Sequence, residues 1–447
     1  MKQNRISFLI CISVIALFAG ACKKSFFTDV NINPNVPGSV APNLILPTAE
    51  AGLGYTQGGD ISRYTSLITQ QVFGANSQSQ VYYSYGLNPG TFENVWADLY
   101  TSVIINIDTL KNEADEKGFN QYSGISRILM AYTLQVAVDL WGKIPYSDAV
   151  KGNASLHPSY DDDKALYDTI ASLVNVGMSK LSDPKQGSLT PAVDDVIYNG
   201  DPVKWIKFGH AIKARLYIHQ SKGDAAMAQK ALDEVALSFT DNSQNAQYRF
   251  AVAETAANPW YQFIRDRPGD ELFDNSTLIM RLEALNDPRR DIFIDQSGSL
   301  NTYYGSVNSP VEFITYDELL FIKAEATLRV SGDYAVAQGF YRMAIQENMK
   351  KLGVDAADIA TYIAAQGTLP TSSIDNAIAQ VANQEFIALY LNPEAWVVWR
   401  RTGSPSLSPT GPGEVPRRLL YPQTELSYNT ANTPAATLYT PKIFWDK

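Results

Sequence analysis

The chain has 447 residues, 45% of them hydrophobic and 18% charged, with 36 Lys and Arg against 46 Asp and Glu for a formal net charge of −10. That acidic balance excludes a binder of nucleic-acid backbones and a basic, membrane-hugging surface. With Cys11 and Cys22 as its two cysteines it has no disulfide framework, so its stability must come from buried apolar surface.

The first 21 residues have the pattern of a bacterial lipoprotein signal. Lys2 and Arg5 precede an apolar run, Ile6 to Phe18, and the small residues Ala19, Gly20 and Ala21 stand before Cys22. The run is shorter than the roughly 20 residues that a membrane-spanning helix needs. Cleavage would leave Cys22 as the lipidation site and would remove Cys11, so no internal disulfide could form. Two or more acyl chains anchor stably where one does not. Residues 22–42, with Asn31, Asn33, Pro34, Asn35, Pro37 and Gly38, read as an extended tether. Residues 43–447 read as one helical domain.

Helical periodicity dominates that domain, over Asp60–Phe73, Phe92–Glu116, Ser123–Leu140, Lys164–Leu181, Val203–Ser221, Ala225–Phe239, Tyr316–Val330, Tyr334–Leu352 and Ile374–Leu391. Asp60, Thr91, Asp224 and Asp333 are expected to cap helix N-termini, and Gly118 and Gly353 to follow helix ends. Gly223–Gln229 (GDAAMAQ) repeats as Gly332–Gln338 (GDYAVAQ), each after a segment containing Ile-Lys-Ala. A helix, a Gly-Asp turn and a second helix with alanines at the crossing is a tetratricopeptide-like hairpin. The expected fold is therefore all-α, built of such hairpins. Irregular excursions at about 240–311, and at 402–447 with seven prolines, are expected to carry binding surface.

Enzyme signatures are missing. His210 and His219 lie nine residues apart, on opposite faces of a helix, and His157 stands in a loop. No nucleophile elbow occurs, and Gly52-Leu53-Gly54 lacks the third glycine of a dinucleotide loop. Asp161-Asp162-Asp163 lacks the spacing of a calcium loop and suits a helix N-terminus instead, so no metal or other cofactor is expected. A pair of hydrolase carboxylates is recognisable only by geometry, and a surface hydrolase stays open as an alternative.

Three aromatic clusters fall in segments read as loops: Tyr82, Tyr83 and Tyr85; Trp260 and Tyr261, with Phe263; and Tyr303 and Tyr304. A flat ring offers an apolar face to the C–H side of a sugar, while neighbouring polar groups bond its hydroxyls. Those seven Tyr and Trp residues are the ligand-binding candidates. Trp96, Trp141, Trp205, Trp396 and Trp399 fall in or beside helices and are expected in the core.

Six segments in order resemble the SusD/RagB family of outer-membrane nutrient-binding lipoproteins, in its shorter SusD-like branch. They are Phe27–Pro34 (FTDVNINP), Asp139–Ala149 (DLWGKIPYSDA), Asn286–Asp291 (NDPRRD) with Tyr316–Ala326, Glu385–Gly403, Pro416–Glu425 (PRRLLYPQTE) and Lys442–Lys447 (KIFWDK). The resemblance implies a helical fold with a loop-built ligand face and no catalysis. It also implies an outer-membrane location and a SusC-like TonB-dependent transporter as partner, over which the lipoprotein sits as a lid. It transfers no ligand-contacting residue. A glycan is the expected ligand, with a peptide as the alternative. The first acid after Cys22 is Asp29, later than in surface-exported relatives, which leaves the face of the membrane open.

Overall fold

The computed structural model describes residues 40–152, 155–185 and 187–447. The leader 1–21, Cys22 and all but the end of the tether lie outside the described residues. From Pro42 onward the chain folds as one unit. Its first half comprises α1 (Pro42–Thr56), α2 (Ser62–Ile68), α3 (Ser77–Tyr83), α4 (Glu93–Asp98), α5 (Ile105–Lys117), α6 (Asn120–Trp141), α7 (Asp163–Ser182), α8 (Pro202–His219) and α9 (Ala225–Val235). The excursion then holds four short helices, α10 (Pro259–Asp266), α11 (Thr277–Ala284), α12 (Arg290–Phe293) and α13 (Thr302–Gly305). Helices α14 (Tyr316–Ser331), α15 (Tyr334–Leu352), α16 (Ala356–Gln366), α17 (Ile374–Ala388), α18 (Glu394–Thr402) and α19 (Gln423–Tyr428) complete the order.

The four strands form two antiparallel ribbons that pin the excursion to the helices. β1 (Phe73–Gly74) pairs with β3 (Glu271–Leu272), and β2 (Ala246–Arg249) pairs with β4 (Pro310–Ile314). Helix α6 is buried along nearly its whole length, with α5 and α7 packed against it. Helix α8 packs on α7 and α9, α9 packs on α14, and α14 packs on α15 and α17. The all-α architecture of helical hairpins expected from the sequence is the one observed.

The repeated heptad has one physical job in both places. Gly223 (φ 74°) and Gly332 (φ 64°) take the left-handed conformation that turns the chain. Asp224 and Asp333 then accept bonds from the backbone amides of Ala226 and Met227, and of Ala335 and Val336. Helices α9 and α15 begin at the next residues, Ala225 and Tyr334, and the heptads' last alanines, Ala228 and Ala337, are fully buried.

Two expected caps are corrected. Asp60 lies inside a π-helical turn, Gln57–Ile61, that joins α1 to α2, so its side chain caps nothing. Thr91 does not start its helix; Asn88 does, in a reciprocal pair in which the Thr91 hydroxyl accepts from the Asn88 amide at 3.1 Å. The expected helix from Phe92 to Glu116 is interrupted by a second π-helical turn, Leu99–Ile104. Helix α1 was not expected, because Pro47, Gly52 and Gly54 obscure its period. Gly52 is required there: a Cβ would stand 2.8 Å from the Ser102 carbonyl oxygen.

Buried charges tie the layers together. Arg215 of α8 donates to both carboxylate oxygens of Glu318 on α14, at 2.7 and 2.6 Å, and to the Phe313 carbonyl of β4 at 2.7 Å. Arg401 of α18 donates to both oxygens of Glu325 on α14, at 2.7 and 3.0 Å. The closing segment serves the end of α6. Gly142 (φ 78°) stops that helix, Arg418 donates to the Trp141 carbonyl, the Leu419 amide donates to the Leu140 carbonyl at 2.8 Å, and the Tyr421 hydroxyl reaches Lys143 at 2.8 Å. Cationic and hydroxyl donors thus satisfy carbonyls that a helix end leaves orphaned.

Two outcomes follow for stability. Burial raises the Glu325 carboxyl, but Arg401 and Arg329 outweigh it and hold the group down at about 2. Its stabilisation is therefore present above the ordinary carboxylate pKa and is lost as pH falls towards 2. In urea melts, the gap between the native chain and Glu325→Gln is expected to shrink by about 3 kcal/mol between pH 6 and pH 2. Gly52→Ala is expected to cost about 1–3 kcal/mol by forcing α1 off the Leu99–Ile104 turn, measured as a lowered urea midpoint at unchanged slope.

Candidate functional site

An open cleft of about 440 Å³ lies where α1, the two π-helical turns and the start of α10 meet. That volume falls within the roughly 300–1,000 Å³ of ligand sites. Its lining draws Tyr55 and Thr56 from α1, Gly59 and Asp60 from the first π-helical turn, Val95 and Asp98 from α4, Ser102 from the second turn and Pro259 from α10. π-Helical turns cluster at functional sites because the widened turn re-aims side chains. Here the first turn breaks regular helix at Gly59 (φ −91°, ψ −114°) and places that glycine's bare backbone in the cleft wall.

Each polar group in the cleft has a distinct environment. Tyr55 is half-buried and its ring meets Phe250 edge-on at 4.9 Å, which fixes the ring plane. Asp60 accepts from Arg63 at 3.1 Å, and Arg63 also reaches Glu271 at 3.2 Å while lying 3.7 Å over the Phe263 ring. Asp98 is exposed and has no protein partner among the described residues; partial burial, and then the nearby Asp60 charge, push its carboxyl above the ordinary range. The site can therefore offer one aromatic face and carboxylate acceptors for hydroxyl or amine donors.

The seven aromatic candidates take several positions. Tyr82 is buried edge-on against Tyr64 at 5.2 Å, and Tyr83 packs on Phe73 at 4.9 Å. Tyr85 is buried in a left-handed conformation (φ 61°), its hydroxyl accepting from the Thr410 amide at 3.2 Å. Trp260 is buried and donates to the Ser62 hydroxyl at 2.9 Å. Tyr304 is buried among Phe293 and Tyr390, and the Tyr303 hydroxyl donates to Glu312 at 2.8 Å. Tyr261 keeps a half-exposed ring, bonded to Glu254 at 2.9 Å, two residues past the Pro259 that lines the cleft. Of these contacts the Trp260–Ser62 bond holds the excursion onto α2. None of the seven lines the cleft, whereas Tyr55, which sequence reasoning missed, does. The available signal was its position directly after Gly52-Leu53-Gly54.

Asp139, His219 and Glu394 form a buried group in which His219 Nδ1 meets the Tyr167 hydroxyl at 2.8 Å and Nε2 meets Glu394 at 2.8 Å. Asp139 also accepts from Tyr167 at 2.5 Å and from Trp445 at 3.1 Å. Both ring nitrogens are engaged and Arg215 stands 3.5 Å from Glu394, so the charges are already neutralised by the protein and the group is structural. His210, as expected, is turned elsewhere and meets Glu234 at 2.6 Å. A groove of about 600 Å³ between α15 and α16 is lined by Val354, Ile359, Ala360 and Ile363 with Arg342 and Lys350, but it has no aromatic ring and no converging acceptors. The five tryptophans expected in the core are there. Asp162 of the acidic triplet caps α7, as its position implied.

Comparison with known proteins adds the family. The model for SusD-like proteins described as starch-binding and associating with the outer membrane matches residues 34–422. A SusD/RagB family protein from Bacteroides thetaiotaomicron superimposes with a TM-score of 0.73 at 22% identity, covering 91% of this chain and 99% of that one. A chitin-binding SusD homologue from Flavobacterium johnsoniae gives 0.72 at 19% identity, over 90% and 99%. A SusD-like protein of Bacteroidetes AC2a gives 0.77 at 18% identity, over 91% and 100%. No curated protein matches significantly. Among the described residues no helix is long and apolar enough to cross a membrane. With most of its length matched by the family model and its fold shared with these structures, the chain belongs to the SusD/RagB family, in the SusD-like branch.

Proposed function

We propose that this protein is a non-catalytic binding protein that captures an oligosaccharide nutrient in the cleft beside Tyr55 and passes it to a SusC-like TonB-dependent transporter in the outer membrane. The observation that carries the site is the presence, in the lining of one open cleft, of a fixed aromatic ring, Tyr55 held edge-on by Phe250, and the unpartnered Asp98. A sugar ring has one C–H face to stack and a rim of hydroxyl donors, and this wall offers a partner to each. Tyr261, half-exposed on the same helix as Pro259, is the aromatic of the original seven that we extend to the ligand; Tyr82, Tyr83, Tyr85, Trp260, Tyr303 and Tyr304 support the loops that shape the cleft. The family description and the chitin-binding relatives support a glycan over a peptide.

Lipid attachment at Cys22 completes the proposal, with residues 22–42 as the tether and the body facing the cell exterior. Replacing Cys22 by Ala is expected to move the protein from the membrane to the soluble fraction, and protease shaving of intact cells is expected to remove the native chain. Co-purification from detergent-solubilised membranes is expected to bring down a large outer-membrane transporter.

Titration calorimetry with maltohexaose and with the hexamer of N-acetylglucosamine tests the ligand class. At least one is expected to bind, and Tyr55→Ala is expected to weaken it by about tenfold, the scale of a lost stacking contact. Binding of neither, or binding that ignores Tyr55→Ala, contradicts the assignment of this cleft. Appearance of new reducing ends during incubation would contradict the non-catalytic reading.

A further inference from the structure

The cleft carries charge of one sign. None of its lining residues is Lys, Arg or His, while Asp60 and Asp98 both stand in its walls. Arg63 contacts Asp60 at 3.1 Å but is shared with Glu271 at 3.2 Å and lies over the Phe263 ring, so one positive group faces two carboxylates and does not itself line the cleft. Asp98 has no ion-pair or hydrogen-bond partner among the described residues. The open mouth therefore meets a ligand with uncompensated negative charge, in a chain whose formal net charge is already −10.

We propose that this cleft selects glycans by charge, with Asp98 as the specificity-determining residue: it accepts neutral and amino-bearing sugars and rejects uronates and sulfated sugars. The inference rests on the glycan reading of the cleft and adds the substrate class to it. A protonated amine brought to Asp98 gains a charge-assisted hydrogen bond. A uronate carboxylate at the same place meets like charge, with no Lys, Arg or His among the lining residues to answer it. Neutral sugars donate hydroxyls to the same carboxylate and fall between the two. Because Asp98 is exposed, salt must weaken the discrimination, the screening length falling from about 8 Å at physiological ionic strength to about 3 Å at 1 M.

The test uses three β-1,4-linked hexamers, of N-acetylglucosamine, glucosamine and glucuronic acid, in calorimetric titrations near pH 6. The glucosamine hexamer is expected to bind about tenfold or more tightly than the glucuronate hexamer, with the neutral hexamer between them. That ratio is expected to collapse towards one in Asp98→Asn and to narrow in 1 M NaCl. The Asp98 side chain makes no hydrogen bond or ion pair among the described residues, so its Asn variant should fold, and an unchanged thermal melt checks this. A ratio near one in the native protein, a ratio that Asp98→Asn leaves alone, or tightest binding of the uronate overturns charge selection. In those cases binding that still falls with Tyr55→Ala leaves the cleft assignment standing. Binding of none of the three hexamers overturns charge selection, and the cleft assignment falls with it when maltohexaose also fails to bind.

Discussion

Charge that is buried must be met by charge or by a hydrogen bond, and in this protein that requirement ties together α6, α7, α8, α14 and α18. Arg215 on α8, Glu318 on α14, Glu394 on α18 and the His219–Asp139–Tyr167 group on α8, α6 and α7 form one buried network, and Trp445 closes it from the C-terminus. Such a network is a poor source of net stability, because desolvation offsets most of the Coulomb gain. Its effect is on register: each member has a partner on another helix, so a shift of any one helix leaves a charge unmet. Burial pushes the Asp139 carboxyl up against the pull of His219, while His219 and Arg215 outweigh burial at Glu394 and hold it down, as expected of carboxylates that answer to different partners in one cluster.

The same network reaches the cleft through the backbone. Arg215 holds the Phe313 carbonyl of β4, and the neighbouring Glu312 carbonyl accepts from Gln57 at 3.0 Å. Tyr132 of α6 donates to Gln57 Oε1 at 2.7 Å. Gln57 opens the π-helical turn whose Gly59 and Asp60 border the cleft, so the irregular wall is tied to the buried helix α6 and to β4. A binding wall needs that support, since a loosely held Tyr55 or Asp98 would spend ligand-binding free energy on being ordered.

Much of the scaffold was legible in the sequence because its signals are local. Asp224 and Asp333 cap because the capping bond spans two or three residues, and Gly223 and Gly332 turn because a positive φ suits glycine. The family-like segments Asp139–Ala149, Asn286–Asp291, Glu385–Gly403 and Pro416–Glu425 turn out to hold the structure together: Arg289 is buried on Asp287, Asn348 and Gln384, and Arg418 and Tyr421 finish α6. The site was less legible. An aromatic in a polar loop reads the same whether its face meets a ligand or, like Trp260 on Ser62, a distant part of the chain. Helix α1 was hidden by Pro47 and two glycines, and with it Tyr55. The π-helical turns have no sequence period of their own, and Asp60 was read as the cap that its residue type suggests when its role is set by Arg63 and the cleft.

A crystal structure of the protein with a bound oligosaccharide tests the central claim most directly. The account predicts a sugar ring stacked on Tyr55, with a hydroxyl or amine within hydrogen-bond distance of Asp98 and the π-helical turn unmoved. A sugar bound in the groove between α15 and α16, or anywhere that leaves Tyr55 and Asp98 untouched, would contradict it.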